Sequence, residues 1–453
     1  MKRLTRTLAF LLALSLLATG CSAGNPAATT EPAPSKLAEP AYPTMADYPD
    51  EQEYIGNGGE FDDEGFQEVY SAWRSDQQKQ HDQPEGYADS LQPFFRSAIP
   101  QFLGQEGSNS VCSPLNIYMA LCLLAEATGG STRQEILDTL CSDDLASLRT
   151  QARQVWNAHY NQDGASTCIL ANSLWLKNGL AYDDNTVRAL SQHYYASIFQ
   201  GPLGTEEMTQ ALRSWLNEQT EGLLSDQTGN LQLSPDTVLA LASTIYYRAR
   251  WGTEFQPERN TDGIFHSPDG DLDAVFMNRA STAQYYWGKD FGAAALSLKD
   301  GSSMWLILPD EDKTPADVLA RGQALELALG GSGTYPDCKR VMLHLSLPKF
   351  DIASDMQLQN SLSALGITEV FQSTADFTPT LPEDAAWLDT VQHAARVAID
   401  EEGVTAAAYT VMATVGAAPP PKDEVYLTLD RPFLFIISSH DNLPLFAGIV
   451  NTP

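Results

Sequence analysis

The chain has 453 residues, about three times the usual domain length, and is 43% hydrophobic and 9% aromatic, enough to bury an extensive core. Its 58 acidic against 27 basic residues give a net charge of −31. That balance argues against a nucleic-acid binder, which needs cationic patches to displace counterions, against a protein held by charge on an anionic membrane, and against a heparin-like polyanion as cofactor.

Lys2, Arg3 and Arg6 open the chain, and the apolar run from Leu8 to Ala18 is too short to stay in a bilayer as a helix. Leu17-Ala18-Thr19-Gly20-Cys21 resembles a bacterial lipobox, with Ala18 where Leu is commoner. The resemblance implies a signal peptide over 1–20 and a diacylated Cys21 at the outer face of the cytoplasmic membrane. Two acyl chains suffice for stable anchoring. An ordinary secretory signal with a chance cysteine is the other reading, and it gives a free extracellular protein. Residues 21–84 are rich in Glu, Asp, Pro, Gly and Gln and are expected to form a disordered acidic tether. The aromatics from Phe61 to Trp73 suggest one short helix within it.

From Glu85 onward the pattern is globular. Asn116 to Ala127 reads as a buried helix ending at Gly129-Gly130, and Thr132 with Glu135 reads as a capping box opening the next. Thr209 to Thr220 has the spacing of an amphipathic helix. Ser303–Leu308, Val341–Leu347, Val397–Asp400, Val425–Leu429 and Phe433–Ser438 read as strands. Helices in the first half and strands in the second indicate an α+β fold. Apart from Cys21, five cysteines remain, with neither CxxC spacing nor a Cys/His cluster. They are expected to be free thiols, and no cofactor or metal is expected.

No HExxH, Walker loop or GxGxxG occurs. The one GxSxG match, Gly20 to Gly24, straddles the predicted cleavage site and has no strand–turn–helix around it. Asp269-Gly270-Asp271 lacks the remaining ligands of a calcium loop and reads as a turn.

The most informative stretch runs from Glu401 to Ala418 and is followed by Pro419-Pro420-Pro421. Val404 to Ala418 contains neither a charge nor a proline, unlike an ordinary surface loop. As a strand it would place Val404, Ala406, Ala408, Thr410, Met412, Thr414 and Gly416 on one face, all small or apolar. It therefore reads as a strand held out of its sheet. A flexible Ala/Thr linker and an ordinary strand are the alternatives, and alanine runs also favour helix.

This segment resembles the hinge and reactive-centre loop of serpins. Other stretches resemble the family in the same order: Asn109 to Asn116, Ala171 to Trp175, Trp215 to Asn217, Ala242 to Tyr247 with Trp251 and Phe255. They continue with Leu347 to Phe350, Leu365 to Ile367, Ala375 to Phe377, Arg431 to Phe433 and Phe446 to Gly448. The resemblance covers about Glu85 to Pro453. It implies three β-sheets, surrounding helices and an exposed loop that a serine protease attacks as substrate. The loop of the acyl-enzyme would then insert into the central sheet, carrying the protease with it.

In family terms Glu401, Glu402, Gly403, Val404, Thr405, Ala406, Ala407 and Ala408 form the hinge. Counting seventeen residues from Glu401 places the scissile bond at Ala417–Ala418, with Val415, Gly416 and Met412 as fallback sites. A small residue there suits an elastase- or subtilisin-like pocket. Val404 stands where Thr or Ser is usual, and Tyr409 interrupts the small residues but falls on the outward face. Ser113 and His393 match the family's sheet-opening polar cluster. Asn116 stands for a usual Ser and Ser243 for a usual Asn, an exchange of hydroxyl for amide that would compensate. The implied protein is a monomeric suicide-substrate inhibitor in covalent acyl complex with its target, no enzyme itself. The alternative is a non-inhibitory surface binding protein on the same fold.

Overall fold

Most helices lie in the first half of the chain, as the apolar periodicity predicts. They are α1 (Asp63–His81), α2 (Gln92–Phe102), α3 (Pro114–Ala127), α4 (Gly130–Thr139), α5 (Leu145–His159), α6 (Asp184–Tyr194) and α7 (Glu206–Gln219). The shorter α8 (Pro315–Arg321), α9 (Gln323–Gly330) and α10 (Gln359–Ala364) follow. The structure is a computed structural model and describes residues 34–56, 61–103, 107–225, 229, 231–330, 333, 335–404 and 421–453. Every residue of α3 is buried, as its apolar run from Ile117 to Ala125 requires, and Asn116 and Glu126 are the two polar side chains buried with it. Pro114 at its first position and the Ser113 side chain, which accepts the Asn116 N–H, fix where it begins.

The expected capping box at Thr132 and Glu135 is not formed, because α4 starts earlier, with Gly129 at its N-cap. Both side chains serve distant backbone instead. Thr132 Oγ1 accepts the Asp376 N–H, and the Glu135 carboxylate accepts the Thr368 and Glu369 N–H groups at 2.7 and 2.8 Å. Local spacing could not disclose partners more than 200 residues away.

The first sheet runs β1 (Ser35–Ala38), β5 (Ala196–Gly201), β4 (Thr167–Lys177), β6 (Leu239–Arg250), β14 (Gly403–Val404), β13 (Thr390–Ile399) and β12 (Phe350–Gln357), with β3 (Asn161–Gln162) on β4. The second runs β15 (Glu424–Thr428), β11 (Cys338–Pro348), β8 (Gly270–Gly288), β9 (Phe291–Ser297), β10 (Ser303–Pro309), β16 (Phe433–Ser438), β17 (Pro444–Val450) and β2 (Ser110–Cys112), with β7 (Thr261–Ser267) on β8. Three sheets were expected, and the described residues form two hydrogen-bonded networks. The reason is β8, whose 19 residues pair with β7 at one end, β11 along the middle and β9 at the other end. Asp269 lies in the β7–β8 turn, as read. The first sheet is buried on both faces: α3 packs on one side, while Trp215, Leu212 and Met208 of α7 cover Ala171, Trp175 and Ala240 on the other. Double burial explains why β4 and β6 read as nearly continuous apolar runs.

Within the expected tether, residues 34–56 and 61–84 are packed into the fold, while 21–33 and 57–60 lie outside the described residues. The described residues from 34 onward form one compact unit. β1 adds an edge strand to β5, Ser35 opposite Gln200, and α1 extends to 19 residues where a short helix was expected. Tyr42 packs against Trp156, Tyr160 and Tyr195, which stack on one another, while Tyr48, Tyr70 and Trp73 make a second aromatic group. Trp73 Nε1 donates to Ala46 O, and Tyr48 N to Asp163 O. Average composition hid these few aromatics, each able to bury about 150–250 Å². The five described cysteines are unpaired, with Cys112, Cys122 and Cys168 buried. No described helix is long and apolar enough to cross a membrane.

Truncating Tyr42 opens the half-buried aromatic stack without touching the rest of the fold. Tyr42→Ala is expected to lower the stability of the chain by about 2 kcal/mol in urea unfolding, and Tyr42→Phe by much less.

Candidate functional site

The first sheet is closed at one end and divided at the other. β6 and β13 are parallel and directly paired from Ala240 opposite Thr390 to Thr244 opposite Ala394. Beyond that rung no direct pairing of the two is found among the described residues. At the far end β14 lies between them, with Gly403 opposite Arg250, and Val404 opposite both Ala249 and Ile399. Two residues of the hinge therefore occupy the start of a strand position between β6 and β13.

A turn at 400–402 delivers them there. Asp400 closes it: one carboxylate oxygen accepts the Glu402 and Gly403 N–H groups at 2.9 and 3.1 Å, and its own N–H donates to Gly403 O. The carbonyls of Glu401 and Glu402 accept from Phe255 N and Trp251 N, both at 2.9 Å, and Trp251 Nε1 donates to Asp400 O. The Glu401 carboxylate pairs with Lys349 Nζ at 2.6 Å and accepts from Asn260. Burial opposes its charge, but these partners prevail and hold its pKa below the usual value. Burial and the neighbouring Asp400 and Glu254 push Glu402 the other way. Gly403 permits the entry: a Cβ there would lie 2.2 Å from Ala249 O and 2.8 Å from Arg250 Cα, which only glycine avoids. Val404 is 1% exposed, so hinge burial has already begun.

Ser113, Asn116, Ser243 and His393, four residues widely separated in sequence, meet where β6–β13 pairing ends. His393 Nε2 accepts the Ser113 N–H at 3.0 Å. That leaves the ring proton on Nδ1, which faces Ser243 Oγ at 3.4 Å. Asn116 Nδ2 donates to Ser243 Oγ at 2.7 Å and to Thr244 O at 2.5 Å, and its Oδ1 accepts from Asn172 Nδ2 at 3.2 Å. The carboxamide on α3 and the hydroxyl on β6 thus meet directly, the geometry that the reciprocal exchange of these residues requires. Burial holds His393 neutral, with its pKa lowered to about 3.

The turn after α7 touches both lips of the division. Tyr246 on β6 donates its hydroxyl to Glu221 Oε2, and Arg396 on β13 donates Nη1 to Leu223 O, each at 2.9 Å. Arg396 also forms a bidentate pair with Asp351. A full strand placed between the lips would move them apart by about 4.8 Å, more than these two contacts can span together.

Of the residues singled out in the sequence, Glu401 to Val404 and the four of the polar cluster are described. Thr405 to Ala408, Ala417, Ala418 and Cys21 lie outside the described residues. The sequence reading assigned no role to Asn172, Thr244, Asp400, Asn260, Lys349, Glu221 or Arg396. Asp400 alone carried a local signal, an Asp three residues before a Gly.

The family model for serpins, serine protease inhibitors, matches residues 96–453. Alpha-1-antiproteinase of Mus saxicola is 26% identical over 403 residues, spanning 86% of this chain and 94% of that protein. The thermophilic serpin tengpin in its native state superposes with a TM-score of 0.73 at 22% identity, covering 82% of this chain and 95% of that one. Human thyroxine-binding globulin complexed with its hormone does so at 0.67 and 19%, covering 81% and 98%. The two structural likenesses speak for the fold.

His393 makes the junction pH-dependent. An unfolded histidine titrates near pH 6.5 and the folded one near 3. Between these values the unfolded state binds more protons, so stability falls as pH falls, by up to about 1.4 kcal/mol per pH unit. In His393→Gln the decline from pH 6.5 to 5 is expected to be shallower than in the parent. At pH 7.5 the variant should lose about 1–3 kcal/mol through imperfectly satisfied buried partners. Urea unfolding of both proteins across that range checks the sign.

Proposed function

Because the chain belongs to the serpin family, we propose that it is a suicide-substrate inhibitor of serine endopeptidases with elastase- or subtilisin-like specificity. The observation that carries the proposal is the pairing of Gly403 and Val404 between β6 and β13, one end of a strand position that the following residues can extend. In this mechanism the protease cleaves at Ala417–Ala418 and remains esterified to Ala417. The fourteen residues from Val404 to Ala417 then form a strand of about 46 Å, hydrogen-bonded on both sides, and the protease is carried along with it. Supporting the specificity, the stretch from Val404 to Ala418 has no Arg or Lys for a trypsin-like pocket, and Ala417 suits a shallow one. The relative named above is an antiproteinase.

The inhibitor acts as a monomer on the outer side of the cell membrane, attached through diacylated Cys21. The basis is the cationic start, the short apolar run and the lipobox-like ending of the first 21 residues. No nucleic acid or cofactor takes part.

Mixing the mature chain with an elastase tests the inhibitor reading. An SDS-resistant adduct is expected, with acylation at Ala417 by intact mass and peptide mapping. Rapid cleavage with no adduct would instead leave a non-inhibitory binding protein on this fold. Val404→Asp would have to bury an unpaired carboxylate at a nearly inaccessible site. It is expected to shift at least tenfold of the product from adduct to cleaved chain, read by gel densitometry. For the anchor, expression in a bacterial host should give membrane-bound protein that labels with radioactive fatty acid. Cys21→Ser should abolish the label and release the chain, and equal labelling of both would refute the lipoprotein assignment.

A further inference from the structure

The outward face of the second sheet, where the chain leaves the loop, carries an aromatic surface that the core does not need. β11 and β15 run parallel and alternate strictly. Val341, Leu343, Leu345 and Leu427 are buried, whereas His344, Glu424 and Tyr426 face outward. Tyr426 is 71% exposed, the highest value among the described large apolar side chains that reach the surface. It is nevertheless held in place. Its ring stacks on His344 with centroids 4.4 Å apart and planes at 9°, and its hydroxyl donates to Glu424 Oε2 at 3.2 Å. The same carboxylate oxygen lies 3.3 Å from His344 Nε2 but off the hydrogen-bond direction, leaving that nitrogen without a hydrogen-bond partner. On the next strand Ala280 stands opposite His344, so no bulky side chain rises on that flank.

A pre-positioned, exposed tyrosine beside a carboxylate is chemistry for a cation. A guanidinium can lie over the ring while donating to the carboxylate. Position selects the partner. Tyr426 follows Ala418 by eight residues, which reach at most about 28 Å when extended. A protease domain of roughly 230 residues has a radius of gyration near 17 Å and is about 45 Å across. A protease seated on the predicted scissile bond therefore overhangs this face.

We propose that Tyr426, His344 and Glu424 form a second contact for the attacking protease and accept a basic side chain, above all an arginine, from the rim of its active site. The inference rests on the reading that a protease attacks the loop. The net charge of −31 favours the same kind of partner by steering.

The test uses the mature chain and a cationic elastase, following the sum of adduct and cleaved chain to obtain the second-order rate of loop attack. Tyr426→Ala is expected to slow attack about tenfold, the scale of an aromatic hot spot. Glu424→Gln should slow it about threefold and flatten its salt dependence, while Tyr426→Phe stays within twofold of the parent. Melting temperature and the adduct-to-cleaved ratio should not move. A Tyr426→Ala rate equal to the parent's overturns the proposal. So does a loss accompanied by a lower melting temperature, which would assign the ring a structural role. Failure of the inhibitor reading looks different: every variant gives cleaved chain without adduct, while the rate differences still report on the second contact. No attack on any variant would refute both.

Discussion

The structure turns on one strand position that the described residues fill only at its start. β6 and β13 are each other's neighbours through Thr244 and Ala394, and thereafter they diverge around Gly403 and Val404. A strand entering there would gain hydrogen bonds on two sides and bury alternate small side chains. At about 1 kcal/mol for each net bond, a dozen such bonds would be comparable to the whole stability of an ordinary domain. A chain that keeps this strand outside is held by barriers rather than by its lowest free energy. The barriers visible in the molecule sit at three levels: the polar cluster below the division, the turn after α7 across it, and the anchored turn at 400–402 above it.

These three share a design in which buried polar groups join elements distant in sequence. The cluster joins α3, β4, β6 and β13 through His393, Ser243, Asn116 and Asn172. Such a network is rigid while every member is satisfied and costly once one is lost. Apolar contacts would resist sliding far less selectively, since one methyl group can replace another as strands shift. Hydrogen bonds with fixed partners make the closed and open arrangements distinct states.

The sequence disclosed the apolar framework well and the polar connections poorly, for one reason. α3 and β16 are continuous apolar runs whose limits follow from burial, and Phe433–Ser438 appears as read. β13 was read only from Val397 to Asp400, yet it begins at Thr390. Its first half contains Gln392 and His393, which resemble loop residues until their partners are known, Asp355 and Gln357 on β12 for Gln392 and Ser113 and Ser243 for His393. His393, one of the side chains that hide the strand, is also one that builds the junction. In the described part of the tether the error is the opposite one: an average over acidic residues conceals Tyr42, whose partners are Trp156 on α5, Tyr160 and Tyr195, and it conceals Tyr48, Tyr70 and Trp73, which pack on one another. The strand reading of Glu401 to Ala418 needed no distant partner, because exclusion of charge and proline is a local property. The described residues reach its first four positions, of which Gly403 and Val404 form β14.

The abrupt change in composition at Gly403 then has a physical meaning. The three acidic residues before it do not belong to the strand that could enter the sheet. Asp400 holds the Glu402 and Gly403 N–H groups, and Glu401 is held by Lys349 and Asn260. These bonds fix the point from which a strand can advance, and a carboxylate any further along would have to be buried between β6 and β13 without a partner. Gly403 marks the boundary because Ala249 and Arg250 leave no room for a side chain there. Val404 is the first residue to enter the core. The charged turn thus sets where β14 starts between β6 and β13.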